Sequence, residues 1–301
     1  MQLPHTADAI QAAPGITVRQ VAPSFAAEVA GVPIHGDVGE AQLDTLVDLL
    51  HRFRVLIVPE IAVTPGDLVA FSRRLGPLEI HSNIENTLRD HREVFCVGNV
   101  QRDGMKASFS TGVEQWHADS SFREVPSDVS LFYGEIVPPE GAQTMFADAT
   151  AAYDALDDAT KARIDGLRAV HSLETLHEWS LPFNPGRAPF SAEKRAMWPP
   201  ISQDLVRTHP VTGAKSLYLC PSVISHIEGM DRAASQVLIA ELMAHTDAPR
   251  FVYSHAWRRG DLVIWDNRAV LHTASLFDAS RYQRLMYRTT VEGNSVGARA
   301  A

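Results

Sequence analysis

Three histidines in this chain are followed at a spacing of two by an aspartate: His35/Asp37, His117/Asp119 and His245/Asp247. Such a pair supplies two of the three ligands of a two-histidine, one-carboxylate metal site. That set suits non-haem Fe(II), because it leaves positions open for substrate and dioxygen. The pair alone carries little weight, since 13 histidines and 20 aspartates in 301 residues yield about one by chance. Two His-x-Glu pairs, His91/Glu93 and His226/Glu228, add to that background. Context separates the pairs. His35-Gly-Asp37 falls in a turn before a helix, where an aspartate serves local backbone hydrogen bonds. His245-Thr-Asp247 closes a helix, where a histidine meets the negative end of the dipole. Both read as structural. Trp116-His-Ala-Asp-Ser-Ser-Phe122 reads as extended, so residues 117 and 119 point to one side while Ala118 faces away.

A second constellation lies far downstream. Gly260-Asp-Leu-Val-Ile-Trp-Asp-Asn-Arg268 reads as a strand entering a turn, and Ala269-Val-Leu-His272 delivers a histidine at a strand end. Twelve and 16 residues further on stand Arg284 and Arg288. Alternate positions 284, 286, 288 and 290 share a strand face, so both guanidinium groups could enter one cavity. Two buried cations call for an anion, and the arginine fork matches a carboxylate bidentately. The bland alternative is a strand whose arginines reach out to solvent.

These residues need a scaffold. Leu43, Leu46, Val47, Leu50 and Phe53 follow a helical period, which predicts a helix over 40–53. A buried strand over 55–58 follows, and Pro65 opens a second helix that Gly76 and Pro77 stop. Beyond about residue 90, short apolar runs recur between turn residues: 94–97, 129–137, 144–146, 167–171, 205–208, 217–220, 251–253, 262–265, 269–272 and 285–290. Helical patterns interrupt them at 150–167 and 231–245. Many short strands at irregular spacing predict a mostly β fold with flanking helices, its core a double-stranded β-helix, or jelly roll. No glycine-rich phosphate loop supports a parallel doubly wound sheet. With no low-complexity linker or repeat, the expectation is a single domain over 1–301, in which a helix and strand region at about 15–90 packs on a core at about 91–293.

Composition narrows the classes. The chain is 45% apolar and 21% charged, which suits a folded globular protein. No run approaches the ~20 apolar residues of a membrane span, and residues 1–13 show no export signal. Two cysteines, Cys96 and Cys220, are too few for a disulfide scaffold. A cytoplasmic location is therefore expected. A net charge of -9 argues against a nucleic-acid surface, and assembly, if any, is expected as a homo-oligomer.

His117-x-Asp119, His272 and Arg284/Arg288 together resemble the signature of the Fe(II)/2-oxoglutarate-dependent dioxygenases, and more narrowly the taurine dioxygenase and 2,4-dichlorophenoxyacetate dioxygenase (TauD/TfdA) family. Four blocks carry the resemblance in order: Phe71-Ser-Arg-Arg-Leu-Gly-Pro77, Trp116-His-Ala-Asp119, Phe146-Ala-Asp-Ala-Thr-Ala-Ala-Tyr-Asp-Ala-Leu156 and Trp265-Asp-Asn-Arg-Ala-Val-Leu-His272. Arg207-Thr-His-Pro-Val-Thr-Gly213 looks closer to the phenoxyacetate-type branch. The resemblance implies His117, Asp119 and His272 as catalytic iron ligands. It implies that Arg288, helped by Thr144, holds the distal carboxylate of 2-oxoglutarate, that Arg284 lies near its C1 carboxylate, and that His81 meets the substrate's acidic group. The asparagine and tyrosine of the taurine pocket have no match around Ile84 and Val113, which counts against taurine itself.

The implied reaction consumes 2-oxoglutarate and dioxygen, releases succinate and CO2, and hydroxylates a small anionic acid. An aryloxyalkanoate-like acid is favoured, with C–O cleavage following if the hydroxyl lands beside an ether oxygen. An alkylsulfonate or an amino-acid derivative is the alternative within the family. Outside it, a zinc-dependent hydrolase would use the same ligands but leaves the paired arginines unexplained, and a non-enzymatic jelly-roll binder would need no metal. The aromatic segment 174–203 reads either as a lid over the pocket or as a packed surface loop.

Overall fold

The computed structural model describes residues 8–296, apart from 82, 103, 109–114, 185 and 187. Three N-terminal strands, β1 (Ile10–Ala13), β2 (Ile16–Gln20) and β3 (Ala27–Ala30), lead into helix α1 (Glu40–Phe53), strand β4 (Val55–Val58) and helix α2 (Pro65–Leu75). Strand β5 (Phe95–Gly98), the hairpin of β6 (Gln101–Arg102) and β7 (Met105–Lys106), β8 (Val129–Ile136) and β9 (Thr144–Asp148) follow. The central part contains α3 (Ala149–Asp154), α4 (Asp158–Ile164), β10 (Arg168–His171), α5 (Leu173–Ser180), α6 (Ala192–Met197), β11 (Ile201–Asp204), β12 (Val206–Thr208), β13 (Lys215–Leu217), β14 (Ile224–Ile227) and α7 (Arg232–Thr246). The last described elements are β15 (Val252–His255), β16 (Leu262–Asp266), β17 (Val270–Ala274) and β18 (Leu285–Val291).

Eight strands form one sheet in the order β1-β2-β3-β4-β16-β8-β18-β5, and β15-β9-β17 form a smaller antiparallel sheet. Side-chain alternation divides the large sheet into two unlike faces. Leu56, Leu131, Ile264 and Tyr287 share a cluster with Leu46 and Leu50 of α1 and Phe71 of α2. The opposite face, with Ile57, Phe132, Trp265 and Met286, meets Phe146 and Val270 of the small sheet. The far side of the small sheet, Ala147 and Leu271, is covered by Leu238 and Leu242 of α7. The layers are thus helix, sheet, sheet, helix, and the site lies between the two sheets.

The helix predicted over 40–53 forms with those bounds, and the strand over 55–58 follows it. Thr64 and Asp67 cap α2 reciprocally, with Pro65 in its first turn. At Gly76 a Cβ would lie 2.5 Å from Ser295 Cβ, so the chain leaves the helix where only glycine fits. The predicted helix over 150–167 is two helices instead. Asp157 accepts the Thr160 N–H at 2.7 Å and starts α4 afresh, which breaks the run at residues 155–157. The N-terminal strands, four or five residues each and partly exposed, extend the main sheet through a parallel β3–β4 pairing. No described helix is long and apolar enough to cross a membrane.

Candidate active site

Two histidines far apart in sequence are joined through their backbones. His117 N–H donates to His272 O at 3.0 Å, and His272 N–H returns the bond to His117 O at 2.8 Å. Their rings consequently stand 4.2 Å apart, centre to centre. Ala118 turns the other way, into the cluster under α7, which brings Asp119 back to the histidines' side. One ligand atom from each of His117, Asp119 and His272 lies within 4.8 Å of the others.

The donor chemistry fits a divalent cation. His117 Nδ1 lies 2.8 Å from the Gln115 carbonyl and donates to it, which leaves Nε2 as the ring nitrogen to face a metal. His272 is buried, and burial beside His117 pushes its pKa down to about 3, so it is neutral at pH 7. Burial pushes the Asp119 carboxyl upward, but Arg288, the two histidines and the Ser130 hydroxyl outweigh it and hold the group ionised. Two imidazoles and a carboxylate are the facial-triad set that suits non-haem Fe(II).

A second cluster, His51, His209 and Asp266, is equally compact but chemically wrong for a metal. Arg268 donates to both oxygens of Asp266, at 2.8 and 2.7 Å. His209 Nδ1 accepts from the Val211 and Thr212 N–H groups, so its Nε2 bears the proton and donates to Asp266 at 3.0 Å. No lone pair on His209 is left for a cation.

Arg288 on β18 and Arg284, one residue before that strand, both line the cavity, at different distances from the triad. Arg288 Nη1 donates to Asp119 Oδ1 at 2.7 Å, which puts Arg288 at the metal triad. Arg284 lies deeper, with its guanidinium 5.5 Å from the Phe132 ring centre. Burial lowers its pKa to about 10, so it remains charged, and no described carboxylate pairs with it. The resemblance set Arg288 apart from the metal residues and Arg284 beside them; in the structure the arginine in contact with the triad is Arg288, and the one away from it is Arg284. Sequence could not rank them, because both face the same way and only their depth differs. Thr144 Oγ1 accepts the Trp257 indole N–H at 3.0 Å, and Trp257 stands edge-on to Phe132, 5.5 Å away. A cavity of about 310 Å³ includes His117, His272, Phe95, Phe132, Thr144, Arg284 and Arg288 in its lining.

His81 stacks on Phe95 at 4.0 Å, and Arg288 lies over the same ring at 5.2 Å. The Asn83 N–H donates to His81 Nδ1, which leaves Nε2–H as a donor. Burial and Arg288 lower its pKa to about 4, so His81 is neutral at pH 7. Ser120, just past Asp119, has φ 56°, and its hydroxyl donates to Glu79 at 2.7 Å. Glu79 and this turn escaped the sequence reading, since neither belongs to a metal-binding pattern. Ile84 is exposed on a short turn, and Val113 lies outside the described residues. The other two His-x-Asp pairs have structural partners. His35 pairs with Asp37 at the surface, and His245 Nε2 donates to the Ala152 carbonyl at 2.9 Å.

His171 gives a pH prediction. It is fully buried, neither ring nitrogen has a hydrogen-bond partner among the described residues, and burial lowers its pKa from 6.5 to about 3. Between these values the unfolded chain binds a proton that the folded chain refuses, so stability falls as pH drops below 6.5. The slope is about 1.4 kcal/mol per pH unit for one such group. Thermal unfolding of the metal-free protein at pH 7 and pH 5 should show this loss, and His171→Phe should reduce it.

The profile of the family described as "Taurine catabolism dioxygenase TauD, TfdA family" matches residues 17–290. The chain belongs to the TauD/TfdA family. An alpha-ketoglutarate-dependent 2,4-dichlorophenoxyacetate dioxygenase of Cupriavidus pinatubonensis is 34% identical over 280 residues, covering 90% of this chain and 96% of that one. The (S)-phenoxypropionate/alpha-ketoglutarate-dioxygenase of Sphingobium herbicidovorans is 32% identical over 291 residues, covering 93% and 96%. The crystal structure of AAD-2 in complex with Mn(II) and N-oxalylglycine superposes with a TM-score of 0.79 at 34% identity, covering 93% of this chain and 98% of that one. This TauD/TfdA member is thus a 2-oxoglutarate-dependent dioxygenase, an oxidoreductase using Fe(II) and dioxygen. Family membership sets aside the hydrolase and the non-enzymatic binder.

Proposed function

We propose that His117, Asp119 and His272 hold Fe(II), that Arg284 with Thr144 receives the distal carboxylate of 2-oxoglutarate, and that Arg288 and His81 face a small anionic substrate of the aryloxyalkanoate type. The site sits in a jelly-roll core of one domain, formed by the two facing sheets. The observation that carries this reading is the cavity itself. At one end the two imidazoles lie beside the Asp119 carboxylate, and away from them a buried guanidinium has no counterion among the described residues. A dianion whose one end chelates a metal answers both needs. When bound, the iron supplies dioxygen activation coupled to decarboxylation of 2-oxoglutarate to succinate and CO2, with hydroxylation of the substrate.

The chain's own residues position and exclude. Gln115 O fixes the His117 ring through Nδ1. Arg284 and the Thr144 hydroxyl grip a carboxylate, while Phe95, Phe132 and Trp265 form dry walls. Arg288 steadies Asp119 and turns positive charge toward an acid. His81 is neutral at pH 7, so it contributes a hydrogen bond from Nε2–H and no charge. Hydroxylation of the carbon between ether oxygen and carboxylate gives a hemiacetal that falls apart to a phenol and an oxoacid. Relatives named for 2,4-dichlorophenoxyacetate and phenoxypropionate support this substrate class.

A panel of aryloxyalkanoates, alkylsulfonates and acylated amino acids, scored by succinate released, tests the reading. The aryloxyalkanoates should give the highest turnover, with phenol appearing alongside succinate; preference for a sulfonate would overturn the substrate class. His81→Ala should impair turnover of the acid much more than that of its neutral amide, a difference of differences that isolates one hydrogen bond. Equal losses on both would make His81 scaffolding.

A further inference from the structure

Asp119 is held by more than the arginine beside it. Its Oδ2 accepts the Ser130 hydroxyl at 2.6 Å, within the range of a charge-assisted bond. Ser130 is fully buried on β8, opposite Trp265 in the β8–β16 pairing and on the same interior face as Phe132. The hydroxyl has only one hydrogen, and its direction is dictated by Asn267, whose Nδ2 donates to Ser130 Oγ at 3.0 Å. Asn267 cannot flip. Its Oδ1 accepts two N–H groups, the Trp265 indole at 2.9 Å and the Asp119 backbone at 3.2 Å, and a reversed amide would set donor against donor. All four residues are buried, so each bond forms away from competing water.

We infer that Ser130 and Asn267 are positioning residues for the metal, acting through Asp119. The inference rests on the proposed triad. Indole, amide and hydroxyl form a one-way relay, each donor satisfied in turn, that ends on the ligand carboxylate. Asn267 grips Asp119 twice, directly at its backbone N–H and through Ser130 at its side chain. With Arg288 on Oδ1 and Ser130 on Oδ2, the plane of the carboxylate is fixed before a cation arrives. The relay also ties the upstream ligand segment to the turn after β16, three residues before the strand that bears His272. Trp265 and Asn267 lie in the block that ends at His272, so one stretch of chain supplies a ligand and also orients another ligand 148 residues away.

The test is Co(II) binding to the metal-free full-length protein, followed by calorimetry and by the visible spectrum of the bound cobalt, neither of which requires turnover. Ser130→Ala should weaken Co(II) by about 10–100-fold, the usual cost of an outer-shell partner, and should alter the cobalt spectrum. Ser130→Thr, which retains the hydroxyl, should recover most of the affinity, whereas a generic packing role would not be rescued by a larger side chain. Asn267→Ala should weaken Co(II) in the same direction and serves as the second variant if Ser130→Ala folds poorly. Wild-type affinity and spectrum in Ser130→Ala, with Asp119→Ala unable to bind, would overturn the inference and leave the triad standing. Wild-type binding by Asp119→Ala would instead bring down the triad on which it rests.

Discussion

His117→Ala, Asp119→Ala and His272→Ala are each expected to abolish iron retention and turnover. Three protein ligands make up this kind of site, and removing one leaves a two-ligand site that competes poorly with water and buffer. Asp119→Ala carries a second penalty: Arg288 Nη1 and the Ser130 hydroxyl both lose the acceptor they bond at 2.7 and 2.6 Å. His272→Ala should be the cleaner variant, because its Nδ1 has no partner among the described residues and its backbone bonds to His117 survive the change. The controls are built into the chain. Asp37→Ala, Asp247→Ala and His51→Ala should each retain iron, the last because the cluster around Asp266 is an ion-pair network. Metal content after gel filtration, with circular dichroism to verify folding, is the measurement. Iron lost from His51→Ala and kept in His272→Ala would reverse the assignment of the two clusters.

Arg284→Ala is expected to raise the 2-oxoglutarate requirement on the order of 10- to 100-fold, since a hydrogen bond to a charged group is worth about 1.5–3 kcal/mol and 1.4 kcal/mol is a factor of ten. Arg284→Lys should recover only part of the loss, because a point charge cannot reproduce the bidentate fork. Arg288→Ala should behave differently. It removes the donor on Asp119 Oδ1 and the positive charge near His81, so metal affinity and substrate KM should suffer more than 2-oxoglutarate KM. Apparent constants for all three components in both variants separate the roles. A large 2-oxoglutarate effect in Arg288→Ala with little in Arg284→Ala would restore the reading drawn from sequence alone.

Much of this arrangement was legible in the residues. The helical period of Leu43 to Phe53 and the β-branched run at 55–58 fixed their elements because burial alone sets such patterns. His117, Asp119 and His272 stood out because metal ligation demands particular side chains at particular spacings, and His35/Asp37 and His245/Asp247 failed on local context. What sequence could not supply was depth and partnership. Arg284 and Arg288, one just before β18 and one within it, face the same cavity, and which of them reaches Asp119 depends on how β18 lies against the 116–120 turn, a relation between segments about 170 residues apart. Ser130 is one small polar residue in an apolar strand, with nothing local to mark it. The short strands β1–β3 were missed because four or five half-exposed residues carry too little alternation to stand out.

The central claim, that one cavity holds a metal on His117, Asp119 and His272 and an oxoacid reaching Arg284, is tested most directly by a crystal structure of the protein grown with Mn(II) and 2-oxoglutarate without oxygen. Anomalous scattering locates the metal independently of any fitted side chain. The account predicts one strong peak between His117, Asp119 and His272, with the distal carboxylate of 2-oxoglutarate on the Arg284 guanidinium and the Thr144 hydroxyl. A peak at His51, His209 and Asp266, or a distal carboxylate on Arg288, would contradict it.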